Sequence, residues 1–144
     1  MTRDRTSSRR PTRRSERGAA AVEMAFMLPV LLFVLFGIID FGRMLNAQIT
    51  LTEAAREGAR AASFSQPDQD VKDRVTSFAS PGLTGVTTVV TACPATPTPT
   101  ADAVVTSTYT FTYITPVASM AVLFGGTISG TKTMTGKGVM PCLH

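Results

Sequence analysis

Tryptophan is absent from the 144 residues, and the single histidine is the last residue, His144. Cys93 and Cys142 are the only cysteines. So few soft ligands, with no paired cysteines at metal spacing, argue against a metal centre and against histidine-based catalysis. No Gly-x-Ser-x-Gly turn is present to hold a serine nucleophile. The glycine-rich stretch GTKTMTGKG near the C-terminus is not a phosphate loop: five residues rather than four separate Gly130 from Gly136, and Gly138 stands where Ser or Thr is needed. The sequence therefore reads as non-enzymatic and without a cofactor. An anchored hydrolase would have to rest on an exterior carboxylate such as Asp102.

Charge of one sign is also scarce once its position is considered. The formal net charge is +4, but the first 17 residues hold seven arginines against Asp4 and Glu16. The remaining 127 residues sum to −1, which removes the electrostatic reason to seek a nucleic-acid partner for the C-terminal part. An arginine-rich arm alone can bind nucleic acid. Directly before an apolar run, it reads instead as a topology signal.

That run extends from Ala19 to Ile39 with Glu23 as its one charged residue, and as a helix it covers roughly 31 Å, about one hydrocarbon core. Arginines on its N-terminal flank place residues 1–18 in the cytoplasm as a basic leader. Residues 19–39 form a transmembrane helix, and residues from Asp40 onward lie outside the cytoplasm. In that compartment the even cysteine count predicts a Cys93–Cys142 bridge. A cleaved secretory signal is the competing reading, but Asp40-Phe41-Gly42-Arg43 offers no small-x-small cleavage pair after the run. Pro29 is either a tolerated membrane proline or a kink.

Glu23 is costly where lipid begins unless it meets a partner, a cavity or the interface. One reading is a carboxylate that reaches back to the head groups beside Arg17. Another follows from its place five residues after Gly18: a charged leader ending in Gly, a short run, Glu and an apolar helix is the pattern cut by prepilin peptidases. The segment RRSERGAAAVEMAFMLPVLLFVLFGIIDFGR, followed by LTEAAREGARAAS, resembles the TadE-like pilus assembly proteins, the minor pilins or pseudopilins of tight-adherence (Flp pilus) loci. The resemblance covers Arg17 to about Ser63 and implies a processing site between Gly18 and Ala19. It also implies that Glu23 sets assembly register by pairing with the new α-amine of a neighbouring subunit. Met24 stands where family members often carry an aromatic, and Phe26 follows two residues later. The implied partners are the membrane, a prepilin peptidase, other pilin-like subunits and an inner-membrane assembly platform. The alternative is a chain that keeps its leader, an unprocessed single-pass anchor presenting an extracytoplasmic binding module.

Beyond the span, residues 43–62 lack proline and are rich in Ala, Leu, Glu and Arg, so the helix is expected to continue over residues 40–63. Leu45, Ile49, Thr52, Ala55, Ala59 and Ala62 are the expected inner face, with Glu53–Arg56 and Glu57–Arg60 as exposed pairs. Asp68 or Asp70 is expected to cap a second helix whose apolar positions are Val71, Val75, Phe78 and Ala79, ended by Pro81-Gly82. Residues 86–92 and 105–113 read as strands, the second alternating Val105, Ser107, Tyr109, Phe111 and Tyr113 with a threonine ladder. The intervening CPATPTPTAD is a Pro/Thr loop, an ordinary surface loop or a glycosylated or ligand-contacting tip. Residues 114–126 form an apolar turn or helix lying on the sheet, the membrane or a partner, and a last strand runs from Thr127 to Met134 or Val139. The predicted fold is α+β and pilin-like: one transmembrane helix continues into a long exterior helix packed on a small, mostly antiparallel sheet within residues 64–144.

Overall fold

A computed structural model describes residues 13–80, 82–96, 98, 100–116, 119, 121–122, 125–127 and 130–142, with side chains from Gly18 onward. The fold is α+β. Two helices, α1 (Arg13–Ser63) and α2 (Asp68–Ala79), precede three strands, β1 (Thr87–Thr91), β2 (Asp102–Thr112) and β3 (Thr131–Pro141). The chain divides into two compact units, Met1–Leu35 and Phe36–His144. The leader residues 1–12, the prolines at 81, 97 and 99, and His144 lie outside the described residues.

In the first unit, residues 18–35 are helical and almost wholly exposed, with only Leu32 and Phe33 half-buried. The helix is long and apolar enough to cross a membrane. Pro29 sits within it and withholds the N–H that Ala25's carbonyl would otherwise accept. A shallow groove lined by Met24, Met27, Leu28, Val30, Leu31 and Val34 runs along this stretch, and its lining is entirely apolar.

The second unit is built around the α1 residues from Phe36 to Ser63. The strands form an antiparallel meander in the order β1-β2-β3, with Thr88 opposite Ser107, Val105 opposite Gly138 and Phe111 opposite Lys132. Ala47, Leu51, Ala54, Ala55, Ala59 and Ala62 make the buried face of α1, with Gly58 among them. Small residues bring the sheet down onto the helix backbone. A Cβ added at Gly136 would stand 2.6 Å from the Leu51 carbonyl oxygen, and one at Gly138 would collide with the Ala55 carbonyl. Strand β3 therefore runs alongside α1 in the same direction, and β2 returns. Gly58 makes room for Val75 and Val71 of α2 and for Val105 of β2.

Several expectations are corrected. Leu45 and Ile49 are 47% and 58% exposed; they lie on the face opposite Ala47 and Leu51, because close contact with β3 selects the smallest side chains. Phe78 is 52% exposed, and α2 buries Val71, Val75 and Ala79 instead. No side chain caps α2: Pro67 occupies the cap position, Asp68 is already helical, and Val71 N–H donates to the Pro67 carbonyl at 3.1 Å. Glu57 pairs with Arg60 at 3.9 Å and more closely with Arg74 of α2 at 2.8 Å, whereas Glu53 and Arg56 form no ion pair among the described residues. Strand β1 excludes Val86 and Ala92, β2 begins three residues before Val105, and β3 begins at Thr131 and takes in most of the glycine-rich stretch.

Candidate functional site

Gly18 and Ala19 lie inside α1 and are exposed. A Cβ added at Gly18 would meet nothing within 4 Å, and its φ is not in the left-handed region. Glycine in a helix interior costs about 1 kcal/mol relative to alanine, so this residue weakens the helix with no packing or backbone reason inside the chain. Glu23 is exposed one turn after Ala19 and Ala20 and has no hydrogen-bond or ion-pair partner among the described residues.

The second unit contributes a residue whose role the local sequence pattern does not reveal. Asp40 directly follows the apolar run, yet it is only 2% exposed. It accepts from the Thr115 hydroxyl, from the Thr115 amide at 3.3 Å and from the Ile114 amide at 3.4 Å, while Arg43 donates to it at 3.2 Å. Arg43 also stands 5.1 Å from the centre of the Phe111 ring, which meets Tyr113 edge-on at 5.4 Å. Burial by itself would raise the Asp40 pKa, but the Thr115 hydroxyl, the two amides and Arg43 outweigh it and hold the carboxyl below its ordinary value of 3.8. The available signal was a carboxylate at the end of an uncharged run with an arginine three residues on. Its partners lie 74 and 75 residues away in sequence.

Cys93 and Cys142 are joined by a disulfide. Cys93 follows β1 and Cys142 follows β3, so the bridge ties the two outer strands together beside the start of β2, where Cys142 N–H also donates to the Ala101 carbonyl at 2.9 Å. Asp102 is exposed at that end. Gly18 and Glu23 belong to the first unit and the disulfide to the second. Among the described residues no group of His, Cys, Asp and Glu side chains is placed to hold a metal ion.

Neither a curated protein nor a solved structure matches the chain. The family model described as TadE-like protein matches residues 18–60, from the exposed glycine through the buried small-residue face of α1. Over this stretch α1, whose first part is long and apolar enough to cross a membrane, is similar to TadE-like proteins.

Proposed function

We propose that this chain is a pilin-like (pseudopilin) structural subunit of tight-adherence pilus assembly, cut by a prepilin peptidase between Gly18 and Ala19. The observation that carries the reading is the pairing of Gly18, a helix glycine with open space around it, with Glu23, a carboxylate in an apolar segment without a partner among the described residues. Both make sense when read by other proteins, the glycine by a peptidase and the carboxylate by a neighbouring subunit. Cleavage there removes all seven leader arginines and creates an α-amine at Ala19. An amine and a carboxylate paired between subunits offset each other's desolvation and fix the axial register of adjacent helices. The TadE-like match begins at Gly18 and leaves the leader outside it, which fits this reading.

The arginines on the leader side argue for a cytoplasmic N-terminus and an exterior Phe36–His144 unit, the compartment in which a Cys93–Cys142 disulfide persists. Other pilin-like subunits and an inner-membrane assembly platform are the partners this role requires. The subunit acts by assembly, with no substrate to turn over. A second reading, an unprocessed anchored binding module, is favoured by one observation: α1 begins at Arg13, so the Gly18–Ala19 bond is helical and must unwind to enter a peptidase. Intact mass and N-terminal sequencing of the protein from its native membrane, with and without Gly18→Val, separate the two. A chain beginning at Ala19 that becomes full-length in the variant supports processing; a native chain that keeps its arginines supports the unprocessed module.

A further inference from the structure

A small cavity of about 100 Å³ lies within the second unit, lined by Arg43, Asn46 and Ala47 of α1, Leu83 beyond α2, and Tyr109 and Phe111 of β2. Its floor is apolar, since Ala47, Leu83 and Phe111 are all buried. Its rim is polar: Arg43 and Asn46 are exposed and Tyr109 is half-buried. Arg43 is the one charged residue among those that line it.

Arg43 is held in place from behind. It donates to Asp40 at 3.2 Å and stands 5.1 Å from the centre of the Phe111 ring. Asp40 is fixed in turn by the Thr115 hydroxyl and by the amides of Ile114 and Thr115. The carboxylate thus shares its charge with three donors besides the guanidinium, which leaves Arg43 an attraction for a second anion. A guanidinium presents a rigid fork of N–H donors. The Arg43 donors not given to Asp40, the Asn46 amide and the Tyr109 hydroxyl have no hydrogen-bond partner among the described residues.

Unfilled donors around an apolar floor define the ligand that fits them, with acceptor oxygens at the rim and a short apolar tail beneath. A planar carboxylate matches the guanidinium fork with two parallel hydrogen bonds. Inorganic phosphate could engage the fork but would leave the floor uncovered. The volume, a few times the roughly 30 Å³ that a water molecule occupies in the liquid, suits a carboxylate with a tail of only a few atoms.

We propose that this cavity is a binding site for a short-chain carboxylate, gripped by Arg43, with Asn46 and Tyr109 completing its hydrogen bonds and Leu83 and Phe111 receiving the tail. A free short-chain acid and a polypeptide C-terminus ending in alanine present the same chemistry. The site lies wholly in the second unit and requires neither leader cleavage nor assembly, so it stands or falls apart from the proposed pilus role.

The test is a magnetic-resonance titration of the isotope-labelled full chain in detergent micelles, using propionate, N-acetylalanine and, as the uncharged counterpart, propionamide. The expected result is saturable shifts of the Leu83 and Tyr109 backbone amides with a carboxylate and none with propionamide. Tighter binding of propionate assigns the site to free acids, and tighter binding of N-acetylalanine assigns it to a polypeptide terminus. Asn46→Ala and Tyr109→Phe leave the Arg43–Asp40 pair intact and should each weaken binding about threefold, the loss of one neutral hydrogen bond. Arg43→Lys keeps a cation beside Asp40 but removes the fork, and should weaken binding roughly tenfold. If that variant also moves the Thr115 amide resonance, the fold around Asp40 has changed and the other two variants decide. Shifts that stay linear in ligand concentration, that propionamide reproduces, or that persist unweakened in both Asn46→Ala and Tyr109→Phe would overturn the proposal.

Discussion

At Gly138 the absence of a side chain is structural. Its Cα faces the Ala55 carbonyl across a contact that a methyl group cannot enter, and neither partner is a flexible side chain that can swing aside. Gly138→Ala should cost about 2–3 kcal/mol, the range for overpacking a tight contact, read as a lower urea midpoint in detergent-solubilised protein; Gly42→Ala, with open space around it, should not lower it. Ser107 makes the opposite case: it is fully buried, its hydroxyl has no partner, and the buried hydroxyl of Thr88 directly across the strands is also unpaired. Ser107→Ala removes a desolvated group and should be neutral or stabilising by up to about 1 kcal/mol. Asp40 adds a pH dependence. Its lowered pKa means that its contribution is fully present above 3.8 and is lost as pH falls through the lower folded value. Protection of the Thr115 amide from hydrogen exchange should therefore hold from neutral pH down to the ordinary carboxylate range and fall below it, after correction for the intrinsic exchange rate; Asp40→Asn should remove that acid step. The sequence made Asp40 visible only as the end of the span, because a hydrogen bond to residues 75 positions away leaves no local periodicity.

Elements were legible where one periodicity dominated. The apolar span by its length and the alternation of β2 by its period are unambiguous, and each lies close to where its pattern puts it. Strand β3 was harder, since glycine in sequence signals a turn and close approach equally; only the backbone of α1 lying against Gly136 and Gly138 decides between them. The α1 face was read correctly at Ala55, Ala59 and Ala62, which are buried, but in a helix this rich in alanine rows at three- and four-residue spacing can be drawn on either side, and the larger Leu45 and Ile49 drew the start of the row to the exposed one. The two outer strands also depend on a covalent tie. Cys93 and Cys142 are separated by 49 residues, and a closed loop of that length restricts the unfolded chain by about 4 kcal/mol. For a small core whose largest fully buried side chains are Phe111, Leu51, Val71, Val75 and Val105, that is a substantial share of a typical domain stability. Reduction, or paired Cys93→Ser and Cys142→Ser substitution, should lower the urea midpoint of the second unit by a corresponding amount while leaving flotation with membranes unchanged, because the first unit contains neither cysteine.

Across the whole molecule the first unit is nearly all surface and the second holds the core, so the chain completes its fold in one part and leaves the other to be covered by its surroundings. Lipid can cover Met24, Met27, Leu31 and Val34, but it cannot satisfy Glu23. At the centre of a membrane helix a charged side chain costs about 2.5–3.5 kcal/mol, and an unpaired Glu23, the fifth residue of the apolar run, bears part of that cost. In the proposed assembly role, pairing with a neighbouring subunit offsets that cost. Glu23→Ala should insert at least as well as the native chain, since it removes that cost, yet recover less of its partner subunits on purification from the native membrane. Glu23→Gln separates charge from shape: pairing with an α-amine requires the carboxylate, so the glutamine variant should behave like alanine. An interfacial carboxylate that merely reaches the head groups predicts unchanged partner recovery in both variants. The same comparison in a chain blocked at Gly18 tests the link between the two residues: without cleavage there is no α-amine at Ala19, and changing Glu23 should then have no further effect on recovery.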